Sequence, residues 1–341
     1  MNKIELNYSP YIMKLKTPFE TSKGKISERK GFIITLKSES GKTGIGDAAP
    51  FPEFGSESYE EAEEALNKID LKINVDINDI RKSVIYTYKD FQAFPSLKHG
   101  LEQALLNLIC NEQKISLAEL LNLKMKKEVK VNAAIGFLSP EDAVKKAKEF
   151  TKAGFDTLKL KTGRENFDDD LRTIKSVRSA VGSDVKIRID ANGKWNLDSA
   201  TRNLQQLEEL NIEYAEQPVN SIEDFSELKK IVSIPLAADE SIRNYISAKN
   251  FISTKAIDVI VLKPMLIGGL IQALEIIELA ESSNVVPVVT SSFESAVGRM
   301  NAVIAAASVL QDVAHGLAVS QYYEADIGRE IFPINSGKIT I

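Results

Sequence analysis

From residue 129 onward, short β-branched runs alternate with stretches of helical periodicity. The runs occupy residues 129–135, 157–160, 185–189, 212–215, 236–238, 259–262 and 285–289. Between them, apolar residues recur at three- and four-residue spacing over 141–153, 167–181, 197–210, 221–231, 243–251, 269–282 and 296–310. This alternation predicts strands each followed by a helix, and repeated units of that kind build a parallel sheet. Their number and regularity, with no GxGxxG fingerprint after an early strand, favour a closed (β/α) barrel over an open doubly wound sheet.

The first 128 residues have a different texture. Residues 4–46 read as antiparallel strands joined by short turns, with Gly31-Phe32-Ile33-Ile34-Thr35-Leu36 and the Gly41–Gly44 turn as the clearest signals. Residues 58–69 and 96–113 read as amphipathic helices. Together they predict an α+β domain over residues 1–128, with Met125-Lys126-Lys127-Glu128 as linker to a barrel over 129–321. Residues 322–341 resume short-strand texture and are expected to return to the first domain. The segment Gly46-Asp47-Ala48-Ala49-Pro50-Phe51-Pro52-Glu53-Phe54-Gly55, rich in turn formers, reads by itself as a surface loop.

Composition narrows the chemistry. The 341 residues carry 43 Lys plus Arg against 48 Asp plus Glu, a net charge of −5, which argues against a nucleic-acid-binding surface. The single cysteine, Cys110, excludes an intramolecular disulfide and a Cys-rich zinc site. His99 and His315 are too far apart in sequence for an HExxH pair. Acid–base and metal chemistry must therefore come from carboxylates and lysines. The most apolar stretch, 302–310, is shorter than the roughly 20 residues a bilayer span needs, and residues 1–16 lack a signal-peptide run. The expectation is a cytoplasmic protein acting on a small carboxylate, with no membrane or nucleic-acid partner and its oligomeric state left open.

Ionisable residues recur at one point of each unit. Lys161, Asp190, Glu216, Asp239 and Lys263 stand at successive strand ends, followed by Ser291 after the run at 285–289. In a barrel such positions converge on one mouth, where active sites form. Asp190, Glu216 and Asp239 come from three consecutive strands and would repel one another without a cation between them. Hard oxygen ligands with no His or Cys nearby suit Mg²⁺. Ion pairing with Lys161 and Lys263 is the alternative, and it does not account for three acids on adjacent strands. Lys159 and Lys161 flank Leu160 and so share one face of a strand. Their mutual repulsion is expected to lower a lysine toward general-base range. A metal flanked by lysines suits proton abstraction beside a carboxylate, with the metal stabilising the enediolate.

On these residues the chain resembles the enolase superfamily, in its muconate-lactonizing-enzyme branch. The motifs are Lys159-Leu160-Lys161, Asp190-Ala191-Asn192, Glu216-Gln217-Pro218, Ala238-Asp239-Glu240-Ser241 and Leu262-Lys263-Pro264, in family order and spacing. The resemblance implies an α/β fold, a modified TIM barrel (β/α)7β under an N-terminal α+β capping domain. It also implies Mg²⁺ on Asp190, Glu216 and Asp239, with Lys161 as general base and Lys263 as its counterpart, Lys159 completing the signature. Capping loops near 19–25 and 46–55 would close the mouth and set specificity, which revises the surface-loop reading.

Within the branch, residues 46–52 with 54–58, and Ser291-Ser292-Phe293-Glu294-Ser295-Ala296-Val297-Gly298, look like the o-succinylbenzoate synthase family, the dehydratases of menaquinone biosynthesis. Asp47 stands where a Glu is common. Asn192, Ser291, Ser292 and Glu294 are the candidate substrate contacts. The implied reaction is syn loss of water from a succinyl-bearing cyclohexadiene carboxylate. N-acylamino acid racemisation and dipeptide epimerisation are the rivals inside the superfamily. Dipeptide epimerases usually carry an Asp-x-Asp pair near the eighth strand, and residues 315–320 here contain no acid. A Schiff-base aldolase is the rival from another class of chemistry.

Overall fold

The computed structural model describes residues 4–21, 24–69 and 75–341. Strands β1 (Ile4–Thr21), β2 (Gly24–Ser38) and β3 (Thr43–Ala48) form an antiparallel sheet in the order β1-β2-β3. Phe32, Ile34 and Leu36 alternate onto its fully buried face, as the two-residue period requires. Helix Pro95–Gln113 lies across β3 at a distance only glycine permits. A Cβ at Gly44 would stand 2.0 Å from Ala104 O, and one at Gly46 2.0 Å from Gly100 O. Trapped between sheet and barrel, this helix buries Ser96, Lys98, His99, Glu102 and Gln103 along with its leucines. The helix expected over 96–113 is thus present but buried on most of its faces rather than along one stripe. The helix expected over 58–69 runs Tyr59–Lys68 and starts at a Ser58/Glu61 capping box.

The barrel strands are β5 (Ala133–Ile135), β6 (Thr157–Lys161), β7 (Lys186–Asp190), β8 (Ile212–Glu216), β9 (Leu236–Ala238), β10 (Val259–Leu262) and β11 (Val286–Val289), all parallel and in sequential order. Two bridges close the sheet: Thr290 pairs with Gly316, and Val131 with His315. The eighth stave is thus only the dipeptide His315-Gly316, and the barrel is (β/α)7β.

The run expected as one strand over 129–135 divides. Its first part, β4 (Glu128–Lys130), pairs antiparallel with β13 (Lys338–Thr340), and Val131 N–H donates to Gly337 O. Only the second part enters the barrel, because β4 follows the chain's C-terminal strand outside it. Residues 322–341 touch β1 at Tyr323 and Glu324 and then leave it, so that β12 (Ile334–Asn335) and β13 pair with each other and with β4. The helix expected over 296–310 stops at Ala307, and that over 197–210 at Gln205, followed by a 3-10 turn at Glu208–Leu210. Among the described residues, no helix is long and apolar enough to cross a membrane.

Candidate active site

The parallel ladder fixes which side chains meet. Lys161 is in register with Asp190, and Asp190 with Glu216. Strands β6 and β10 are four staves apart in an eight-stave barrel, so Lys161 and Lys263 enter the mouth from opposite sides. Lys159, Lys161, Asp190, Asn192, Asp239 and Lys263 all line one cavity at this end of the barrel.

The charges are tightly paired. Lys159 Nζ lies 2.5 Å from Glu216 Oε1 and 2.9 Å from Asp190 Oδ2. Lys161 Nζ donates to Asp190 Oδ2 at 2.6 Å and to Asn192 Oδ1 at 2.8 Å. Lys263 donates to Asp239. The pairing considered from sequence as an alternative is thus present. Among the described residues, no three acidic, His or Cys side chains are gathered as a metal would hold them. Lysine ammonium groups stand between the carboxylates instead.

Those pairings leave deficits. Glu216 Oε2 and Glu240 Oε2 are buried without a hydrogen-bond partner. Burial, together with the charges of Asp190 and Asp239, pushes the Glu216 carboxyl up to about 8 even with Lys159 beside it. Glu240 is raised for the same reasons. Burial disfavours the Asp190 charge, yet Lys159 and Lys161 outweigh it and hold this carboxyl far below its usual range. A hard divalent cation fits this set, with three carboxylates on adjacent strands, an orphaned carboxylate oxygen, and an ammonium already bridging two of the acids as a cation would.

The repulsion expected to lower one lysine of the Lys159–Lys161 pair does not lower Lys159. Burial does disfavour its charge, but Asp190, Glu216 and Asp239 prevail and raise it well above the lysine range. Lys263 is raised likewise, as Asp239, Glu240 and Glu216 outweigh its burial. Acids reached across strands outnumber the one lysine reached along the strand.

The loops that follow the strand ends adopt left-handed backbone at non-glycine residues, Asn192 (φ 47°), Gln217 (φ 40°) and Phe293 (φ 62°). Such residues cluster at functional sites, where the surroundings sustain them. Gln217 acts as a strut between two loops. Its Oε1 accepts from Asp239 N–H and its Nε2 donates to the Ser241 hydroxyl. Asn192 lines the cavity, but its amide is occupied between Lys161 and Glu240, at 2.8 and 2.7 Å. Ser291 and Ser292 also line the cavity. Glu294 does not, since its carboxylate folds back onto the Ser292 N–H and hydroxyl.

Above the charges the cavity wall is apolar, with Phe51, Phe54, Leu266, Phe293, Ala318 and Val319 among its residues. Of the expected capping loops, residues 51–54 form part of this roof, whereas residues 22–23 of the 19–25 segment lie outside the described residues. Asp47 is fully buried and does not line the cavity. It accepts from the Tyr11 hydroxyl and from the N–H and hydroxyl of Ser295, pinning the sheet to the loop after β11.

Sequence reasoning passed over Arg29. Its guanidinium donates to Ala49 O, Pro50 O and Phe293 O and stacks 3.9 Å from the Phe51 ring, tying two roof loops together. It also passed over Asn132, Thr290 and Tyr322 in the cavity lining. Only Asn132 and Thr290, beside strand ends, carried a positional signal.

Comparison with known proteins gives a concordant frame. Residues 142–341 match the family described as enolase C-terminal domain-like, and residues 7–108 match MenC, N-terminal domain. An o-succinylbenzoate synthase of Thermobifida fusca is 35% identical over 203 residues, 58% of this chain, and the match spans 62% of that enzyme's length. A hydrophobic dipeptide epimerase of Enterococcus faecalis is 30% identical over 80% of this chain and 77% of its own. The crystal structure of a dipeptide epimerase from Cytophaga hutchinsonii, complexed with Mg and the dipeptide D-Ala-L-Val, superposes with TM-score 0.87 at 27% identity, covering all of this chain and 93% of that one.

Proposed function

The chain belongs to the enolase superfamily, and on that premise we propose that it is an o-succinylbenzoate synthase with Mg²⁺ as its cofactor. Its substrate is 2-succinyl-6-hydroxy-2,4-cyclohexadiene-1-carboxylate, which loses water to give 2-succinylbenzoate. One observation carries the choice of reaction. The far wall of the cavity, after the closing stave, presents Ala318 and Val319 beside Phe293, and every acid lining the cavity is already paired to a lysine. A free ammonium group, as on a dipeptide, finds no carboxylate there, whereas a carbocyclic ring finds apolar contact. The MenC N-terminal match of residues 7–108, which include the roof segment 51–54, leans the same way.

Asp190, Glu216 and Asp239 would hold the Mg²⁺. When bound, the ion supplies positive charge beside the substrate carboxylate and the lysines, easing removal of the α-proton. Lys161 Nζ takes that proton, oriented by Asn192 Oδ1 at 2.8 Å. The C–H electron pair is first taken up by the adjoining carboxylate, and its return forms the new ring double bond as the C–O bond breaks. The Lys161 ammonium returns its proton to the departing hydroxyl on the same face, releasing water. Lys263 and Lys159 remain ammonium groups that offset the charge of the intermediate, consistent with their raised proton affinities. The same property argues against either as a Schiff-base nucleophile. The Ser292 hydroxyl donates to Glu294, so Ser291, whose oxygen accepts from Phe293 N–H and keeps its own proton free to donate, is the better partner for the succinyl carboxylate.

Racemisation of an N-acylamino acid is the second reading, because Lys161 and Lys263 face each other across the mouth and such a substrate also lacks a free ammonium. The test offers the purified Mg²⁺-loaded protein both substrates. Rising aromatic absorbance from the cyclohexadiene, abolished by EDTA, is the expected result. Absent dehydration with brisk N-acylamino acid racemisation would overturn the proposal.

A further inference from the structure

A second opening lies outside the catalytic cavity, between helix Pro95–Gln113, the short helix Pro264–Ile267 and residues 243–244. It is lined by Lys98, Arg243, Asn244, Gly268 and Gln272, among others, with no acidic residue. Lys98 is 4% exposed, yet among the described residues its Nζ makes no hydrogen bond and has no carboxylate within ion-pair distance. Its stem runs against Gly268, where a Cβ would stand 3.3 Å from Lys98 Cδ and 3.5 Å from Nζ.

Two acids influence this ammonium from behind the groove, Glu102 on the same helix and Glu275 on helix Leu270–Ser282. Glu102 is already committed, since its carboxylate accepts from Ile271 N–H at the start of that helix. Lys98 is thus a buried cation facing an open groove, an arrangement that costs stability unless a partner arrives. Arg243 shares the groove. Its Nη1 donates to Phe54 O at 2.6 Å, and no other nitrogen of its guanidinium has a partner among the described residues. The Asn244 Oδ1 accepts from Ser247 N–H, leaving the amide N–H groups of that side chain to donate.

We propose that this groove binds a small oxyanion, a carboxylate or phosphate group carried on a metabolite, with Lys98 and Arg243 as its charged donors. The site communicates with the catalytic cavity through one residue. Phe54 hangs its carbonyl on Arg243 and places its ring in the cavity lining, 5.9 Å from Lys263 Nζ. An anion that draws the Arg243 guanidinium toward Lys98 loosens that anchor, so occupancy of the groove alters KM for the catalytic substrate.

The test is equilibrium dialysis of Mg²⁺-loaded protein against labelled sulfate, with inorganic phosphate and succinate as competitors. Wild type is expected to bind one sulfate that Lys98→Met and Arg243→Met each weaken roughly tenfold or more, with Lys98→Arg retaining it. Displacement by succinate identifies a carboxylate ligand, and displacement by phosphate alone identifies a phosphate ester. Arg243 is exposed, so its variant keeps the test decisive should Lys98→Met fail to fold. Sulfate binding that is absent from wild type, or unchanged in both methionine variants, overturns the proposal.

Discussion

Lys159 donates to Glu216 Oε1 across 2.5 Å, and the same ammonium reaches Asp190 at 2.9 Å. One positive charge therefore serves two carboxylates from neighbouring strands, in the place where a cation shared by β7 and β8 would sit. Removing that charge leaves the acids mutually repelling until a metal arrives. Mg²⁺ is expected to raise the melting temperature of the wild type. It should raise that of Lys159→Met by more, because the ion no longer competes with the Lys159 ammonium for Glu216 and Asp190 and so binds more tightly. At a hundredfold excess over Kd, the stabilisation of any one form is about 2.7 kcal/mol. Calorimetry in EDTA and in Mg²⁺ reads both shifts, and equal shifts would show that Lys159 does not stand in for the ion.

Lys161→Ala is expected to abolish exchange of the substrate α-proton with solvent deuterium, with a loss on the order of 10²–10⁴-fold in turnover. Lys263→Ala should slow dehydration yet leave it measurable, while erasing any racemisation. Mass spectrometry of substrate recovered from D₂O distinguishes the two. Continued exchange in Lys161→Ala removes it from the role of base.

Ala318→Asp places a carboxylate in the apolar wall. A succinyl substrate, anionic at that end, should then bind at least about tenfold more weakly, an effect of like charges in a partly desolvated cavity. Steady-state kinetics reports it as KM. A gain of activity on dipeptides carrying a free ammonium, with no loss on the succinyl substrate, would contradict the assignment of the wall.

Acid stability should be governed in part by His315. Burial, aided by the charges of Arg188 and Lys126, lowers its ring to about 3, and Nδ1 accepts from Val289 N–H. The folded state thus keeps the ring neutral, while the unfolded chain protonates it near 6.5. Its contribution is fully present above pH 6.5 and is lost as pH falls toward 3, at about 1.4 kcal/mol per pH unit. His315→Asn should flatten this limb in urea titrations between pH 6.5 and 4.5. An unchanged slope would mean another group controls it.

Arg29→Met should act on both stability and binding. The carbonyl oxygens of Ala49 and Pro50 lose their charged donor, while Phe293 O keeps the Tyr323 hydroxyl, and each buried acceptor left unpaired costs about 1–3 kcal/mol. The melting temperature should fall. KM should rise more than kcat falls, because Arg29 holds the roof and touches no reacting atom. A kcat loss at constant KM would assign it differently.

The layer of strand-end charges proposed as catalytic was legible in sequence because a parallel ladder turns spacing into position. Lys161, Asp190 and Glu216 are far apart along the chain, yet successive register pairs set them side by side. What failed to appear depends on contacts that sequence order conceals. Arg29 looks like any strand residue until the Pro50 carbonyl arrives above it. The upward shift at Lys159 arises from acids on three other staves, while the visible neighbour, Lys161, pointed the other way. Glu294 lies among cavity residues in sequence, but folds back on Ser292. The closing stave, two residues long, has no periodicity to read.

That short stave has a consequence for descent. Past Gly316 the chain immediately becomes the wall at Ala318 and Val319, while the lysines proposed to handle the proton belong to or directly follow longer, doubly paired strands. Substitutions there can accumulate without disturbing the floor below. A lineage built this way can exchange what it accepts while inheriting how it moves a proton, as its kinship with both a synthase and epimerases suggests.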